Sequence, residues 1–306
     1  MRVTNSMLSG QVLMNLQRAL SRLAKQEDQI ASGRRILEPS DDPAALAESL
    51  TVKSRQSTNE QHQKNITQAR SVLETTDNLL HTITENLTQA REAQVRGGAD
   101  SLGPQARQAL AAQVNQYLEA LFELANGRGT NGTYLLGGQE STTAPYIATR
   151  NAQGDITAVT PNPRGIDTQV LAEVDDGVTI PITISGTDVF GPPASLTYTF
   201  DVLINLRDNL NTNNGNAVRA ASAELDTALD RVTVAATVVG ARMNRLDLLE
   251  PQKIEASANL ADTLSRLEDL DMAKASVEFQ QQQTVYQAAL AAGARVIQPT
   301  LIDFLR

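Results

Sequence analysis

The chain has 306 residues and a net charge of −9; 41% are hydrophobic and 20% charged, a balance that excludes wholesale disorder. It has no cysteine and two histidines, which excludes disulfides and thiolate metal sites and leaves little room for imidazole chemistry. An acidic pI near 4.9 argues against a nucleic-acid partner, and no run of about 18 apolar residues is present to span a membrane.

Aromatic residues make up 3% and there is no Trp, so the core must come from Leu, Val, Ile and Ala. That favours slim, closely packed helices. The opening stretch Met1–Gly10 lacks the apolar centre of a secretory signal peptide, which by itself suggests a cytoplasmic protein.

The first predicted helix carries Leu13, Leu16, Leu20, Leu23, Glu27 and Ile30, spaced 3-4-3-4-3 like a coiled-coil seam. Gly33 stops it. After the basic, extended Arg34–Glu38 comes Pro39-Ser40-Asp41-Asp42-Pro43, a helix start in which Ser or Asp accepts the orphan N–H groups and Pro43 takes the first helical position. The helix it launches is predicted to reach about Arg96, with Ile66, Ala69, Leu73, Thr76, Leu80, Ile83, Leu87 and Ala90 on one face. Some fifty residues at 1.5 Å each make a rod on the order of 75 Å. Gly97-Gly98 and Gly103-Pro104 end it, and a third helix presents Leu110, Val114, Tyr117, Leu121 and Leu124.

Past Ala125 the helical period disappears. Tyr146–Arg150, Asp155–Thr160, Thr168–Val174 and Val178–Ile184 read as strands, with turns at Gly154 and Asp175-Asp176-Gly177. Helical spacing resumes with Phe200, Leu203, Leu206 and Leu210, then with Leu229, Val232, Ala236, Val239, Met243 and Leu246, and Pro251 is expected to kink or divide that helix. The last stretch has Phe279, Tyr286, Leu290, Ile297, Leu301 and Phe304, with Gln or Ala in the remaining core positions. The fold class is mainly α with a β-rich insert. An antiparallel arrangement makes an elongated helical rod, the termini together at one end and a small outward β domain at the other.

Chemistry is hard to find. Gly127, Gly129 and Gly132 satisfy G-x-G-x-x-G, but a helix precedes and β-like sequence follows, the reverse of a dinucleotide site. His62 and His81 are nineteen residues apart among polar neighbours and read as solvated surface histidines. Asp41-Asp42 reads as a helix cap, and Asp269 with Asp271 lacks a base or nucleophile nearby. No catalytic, cofactor or metal constellation emerges, so no enzyme is expected. The terminal helices, set apart by breaks at Gly33 and near Asp271, have too few neighbours to bury every apolar face. Ala288, Ala289, Ala291, Ala292 and Ala294 smooth the last helix for close packing. Leu13, Leu16, Leu20, Leu23 and Ile30, with Tyr286, Leu290, Ile297 and Leu301, are therefore expected at subunit interfaces.

The stretch Ser32–Ala47, SGRRILEPSDDPAALA, resembles the N-terminal signature of the bacterial flagellin family. Gly240-Ala241-Arg242-Met243-Asn244-Arg245-Leu246 resembles the family's second signature, Ser265–Ala273 is similar to its entry into the last helix, and Pro299 has a family counterpart. Within the family, the doubly proline-flanked Pro39–Pro43, the start Met1-Arg2-Val3-Thr4 and the short insert look like subunits that join hook to filament rather than flagellin itself. The resemblance implies an inner coiled-coil domain with its spoke (1–43 with 271–306), a helical middle domain (44–138 with 198–270) and a β-rich insert (139–197). Gly33, Pro39, Asp41, Asp42 and Pro43 fall in the spoke and helix cap. It also implies a structural adaptor on the extracellular flagellum, exported without a cleaved signal, which displaces the cytoplasmic reading. The implied partners are neighbouring copies in a ring, the preceding hook-associated protein, flagellin, and an export chaperone for the C-terminal helix, with no nucleic acid, membrane or cofactor. The alternatives are the filament subunit itself and, more distantly, a soluble coiled-coil module from signalling or a secreted enzyme with a helical scaffold. At the surface where flagellins meet innate immune receptors, Arg91, Glu92 and Val95 are kept but Ala93 and Gln94 depart.

Overall fold

A computed structural model describes residues 5–129, 132–140, 142–162, 167–193 and 195–297. The described residues form α1 (Asn5–Ser32), α2 (Pro43–Gly97), α3 (Pro104–Ala125), β1 (Tyr146–Arg150), β2 (Ile156–Pro161), β3 (Leu171–Asp175), β4 (Val178–Pro181), α4 (Gly186–Phe190), α5 (Thr199–Asn211), α6 (Gly215–Ala220), α7 (Ser222–Glu268) and α8 (Met272–Ile297). The chain divides into two compact units, one from residues 1–58 with 256–306 and the other from 59–255, and α2 and α7 run through both.

In the larger unit the eight α2 residues of the predicted stripe, Ile66 through Ala90, are all buried. Thr76 belongs there because its hydroxyl donates to the Val72 carbonyl at 2.8 Å, closing its polar group into the helix. On α3 the buried face is Arg107, Ala111, Val114, Leu118, Leu121 and Ala125, one step around from the predicted stripe; Leu110, Tyr117 and Leu124 are only partly buried. Alanines let the neighbouring backbones approach, so the helix turns its smaller side chains inward. The same rotation occurs on α7, where Leu225, Ala228 and Ala235 are buried and Leu229, Ala236 and Met243 flank them.

Pro251 does not divide α7, which is one 47-residue helix. Proline removes one intrahelical N–H, but side chains from α2 hold α7 on both sides of it. Arg70 pairs with Asp247 and Glu250, and the amides of Asn59 and Gln63 donate to the Lys253 carbonyl at 2.8 and 2.9 Å.

The strands pair as two separate antiparallel hairpins, β1–β2 and β3–β4, each with an irregular register near its turn. The short α4 and α6 were not predicted; five and six residues are too few to display a helical period. The insert shares the core of the helices. Tyr146, Phe190, Tyr198 and Phe200 form an aromatic cluster with centroids 4.8–5.4 Å apart, and Ile156, Val174, Ile180 and Ile184 join the same buried set. Polar ties reinforce it: Arg207 Nη1 on α5 donates to the Ile156 carbonyl at 2.7 Å, and Arg242 Nη1 on α7 to the Thr183 carbonyl at 2.8 Å. Ala93 and Gln94 are core positions rather than surface ones, Gln94 donating to the Val218 carbonyl at 2.8 Å.

Candidate functional site

In the smaller unit α1 and α8 pair along their length. Their contact faces repeat one spacing, 4-3-4-3-4: Val12, Leu16, Ala19, Leu23, Gln26 and Ile30 on α1, and Ala275, Phe279, Gln282, Tyr286, Ala289 and Gly293 on α8. The pairing is antiparallel. A Cβ on Gly293 would lie 3.0 Å from Val12 and 3.5 Å from Leu16, while at the other end Arg34 bridges Asp269. The absence of a side chain at Gly293 makes room for Val12 and Leu16 on the facing helix.

The seam expected on α1 is therefore split. Leu16, Leu23 and Ile30 are half-buried in the intrachain contact, whereas Leu13 and Leu20 are 55% and 50% exposed. On α8, Tyr286 is half-buried and Leu290 is 44% exposed. Ile297 ends α8; its side chain, and Leu301, Pro299 and Phe304 entirely, lie outside the described residues. At about 100° per residue, Leu13 and Leu20 stand about 90° around α1 from the seam, and Leu290 about 60° around α8. In an antiparallel pair the same rotational sense falls on the same side. The three leucines thus share one face of the pair. The seam beneath them is thin and partly polar: it includes Gln26, whose buried Oε1 has no hydrogen-bond partner among the described residues, and Gln282.

The spoke between α1 and α2 is held by its backbone and by charge. Gly33 takes φ +69°, a left-handed geometry that favours glycine, and its carbonyl accepts from the Leu270 N–H at 2.9 Å. The Arg35 N–H donates to the Glu268 carbonyl at 2.7 Å, and its guanidinium reaches the Leu267 carbonyl at 2.9 Å and the Asp42 carboxylate at 3.2 Å. Ile36 is buried at 8% exposure and anchors the segment apolarly. Asp41 pairs with Lys25 and accepts from the Leu37 and Glu38 N–H groups, contacts that hold its carboxyl below the usual range, the Lys25 bond foremost. Asp42 caps α2, accepting from the Ala45 N–H at 3.0 Å; that bond, with Arg35, lowers its carboxyl too. Burial pushes the Glu268 carboxyl up, but hydrogen bonds from Lys53 and Ser49 more than offset it. Asp271 caps α8 through the Ala273 and Lys274 N–H groups, both at 3.0 Å. Pro39 and Pro43 are exposed and bracket the turn, Pro43 as the first residue of α2. Arg35, Lys25 and Lys53 were not singled out from the sequence, because each partner lies on a different element.

The histidines differ from each other. His81 is exposed beside Glu85 at 3.4 Å, as expected. His62 is not a surface residue: it is 6% exposed, covered on α2 by the β3–β4 turn.

Residues 3–141 match the pattern described as the bacterial flagellin N-terminal helical region, and residues 223–305 the C-terminal helical region. The chain belongs to the bacterial flagellin family. This flagellin-family chain is 25% identical over 302 residues to flagellar hook-associated protein 3 of Salmonella typhimurium, covering 94% of this chain and 95% of that protein. It is 23% identical to the Escherichia coli protein of the same name, covering 95% and 96%. A Vibrio parahaemolyticus structure described as a flagellar hook-associated protein shares the fold at a TM-score of 0.65 and 21% identity, covering 75% of this chain and 100% of that one. Family membership gives the chain a structural role in the flagellum.

Proposed function

We propose that this chain is a non-enzymatic adaptor at the junction of hook and filament, secreted onto the flagellum, and that its terminal helices mate with neighbouring copies, with the preceding hook-associated protein and with flagellin. The observation that carries this reading is the exposed leucine face of the α1–α8 pair. Leu13, Leu20 and Leu290 present apolar surface on a two-helix element whose own seam already uses Leu16, Leu23, Ile30 and Tyr286. Such a face is stable in water only at a cost, and burial against another subunit removes it. The near full-length likeness to hook-associated protein 3 supports the place in the flagellum. Residues 1–43 with 271–306 serve as the inner domain and spoke in this reading, 44–138 with 198–270 as the middle domain, and 139–197 as an insert. An export chaperone covers the C-terminal helix before assembly.

Deletion with rescue tests it. Cells lacking the chain should keep hooks, lose filaments and shed flagellin into the medium; loss of hooks, or filaments that persist, would overturn the assignment. The runner-up is the filament subunit itself, favoured by a match to both flagellin helical regions. Purified monomer that elongates alone into long filaments on salting out would establish it.

A further inference from the structure

The β3–β4 turn places Asp175 and Asp176 against the helix face that carries His62. One carboxylate oxygen from each aspartate and one ring nitrogen of His62 all lie within 4.8 Å of one another. His62 is 6% exposed, so the turn covers most of its ring. Two carboxylates stand close to one ring nitrogen, and one ring N–H cannot serve both.

The surrounding charge is also unbalanced. Asp175 Oδ1 takes the Lys253 ammonium at 2.5 Å and the Asp176 N–H at 2.9 Å, which leaves Oδ2 to a further ligand. Glu173 brings a third carboxylate to the turn, where it accepts from the Gly177 N–H at 3.3 Å. Three carboxylates thus meet one ammonium. Asp176 is exposed and its carboxylate accepts no hydrogen bond among the described residues, so it is free to rotate and opens the cluster to solvent.

We propose that His62, Asp175 and Asp176 form a binding site for a divalent transition-metal ion of the zinc type. An imidazole nitrogen with two carboxylate oxygens suits Zn²⁺, Co²⁺ or Mn²⁺ and disfavours Ca²⁺ and Mg²⁺, which take oxygen alone. Ligand bonds of about 2.0–2.2 Å require the three donors to draw closer than they stand, a shift within the side-chain freedom of Asp176. Lys253 remains on Oδ1 as the neighbour that orients Asp175. The ion would fasten the β3–β4 turn to α2 through His62.

The test is calorimetric titration of the untagged, EDTA-stripped full chain with ZnCl₂, read in parallel by the visible absorption of Co²⁺. One ion should bind per chain, and the thermal midpoint should rise with metal. Asp176→Asn and His62→Gln should each weaken binding on the order of 10- to 100-fold, and His81→Gln should leave it unchanged. The exposed Asp176 variant decides the matter if the buried His62 variant does not fold. No saturable binding up to about 1 mM ZnCl₂, binding that survives Asp176→Asn, or binding lost with His81→Gln would overturn the site.

Discussion

Replacing Leu13 and Leu20 together by Gln separates a docking face from an intrachain one. Gln matches Leu closely in helix propensity, so α1 itself is left nearly unchanged and the substitution reports burial. Fully burying a Leu side chain contributes about 1.5–3 kcal/mol. Leu13 and Leu20 are 55% and 50% exposed, so about half of that is still to be gained on assembly. The pair is then worth about 2 kcal/mol per contact, or about 30-fold in an association constant. The monomer's circular-dichroism melt should be nearly unmoved, while swimming and filament number in cells rescued with the variant should fall. Leu16→Gln with Leu23→Gln should do the opposite in the monomer, loosening the α1–α8 pair at its seam. If the Leu13 and Leu20 variant melted as early as the Leu16 and Leu23 variant, or rescued swimming fully, the exposed leucines would have no role in docking.

Gly97→Ala should lower stability by about 1 kcal/mol in urea titration: helix propensity favours Ala by about 1 kcal/mol, but overpacking of 1–3 kcal/mol outweighs it, because the new Cβ would sit 2.4 Å from buried Leu210. Gly240→Ala, inside α7 with nothing within 4 Å, should instead raise it, by up to about 1 kcal/mol. Tyr146→Phe should be neutral or stabilising by about 1 kcal/mol, since its buried hydroxyl has no partner among the described residues and burial pushes its pKa up; a loss above that in the urea midpoint would reveal a hidden partner. Acid should release the spoke: Asp41, Asp42 and Glu268 have lowered carboxyl pKa values, so their contribution is complete above about pH 5 and is lost as pH falls through the folded-state values. Asp41→Asn should flatten that loss in an acid titration of helicity, and an unchanged acid profile would count against the Lys25–Asp41 tie.

Long stripes were the most legible part of the sequence. Ile66 through Ala90 is buried as spaced, since seven turns of repetition leave one register possible, and the first strand occupies its predicted span. Shorter stripes were read one step off. On α1, α3, α7 and α8 leucine spacing dominates the pattern, but the inner faces also take small residues, Ala19, Ala111, Ala235 and Gly293, that carry little periodic signal. At the candidate site the sequence revealed the cap Asp42 and the stop Gly33, both local signals. It hid Arg35 with Leu267 and Lys53 with Glu268, pairs more than two hundred residues apart, and the burial of His62, which depends on a turn more than a hundred residues downstream.

The wiring of the insert into the helices bears on how the molecule can be re-engineered. Excising 139–197 whole would strip Tyr146, Phe190, Ile156 and Ile180 from the common interior and leave the Arg207 guanidinium without the Ile156 carbonyl. It is not a detachable cassette. A foreign epitope meant for display is better spliced into the solvent-facing tip at Ala152–Gly154, where the hairpin already reverses and no interior side chain is lost.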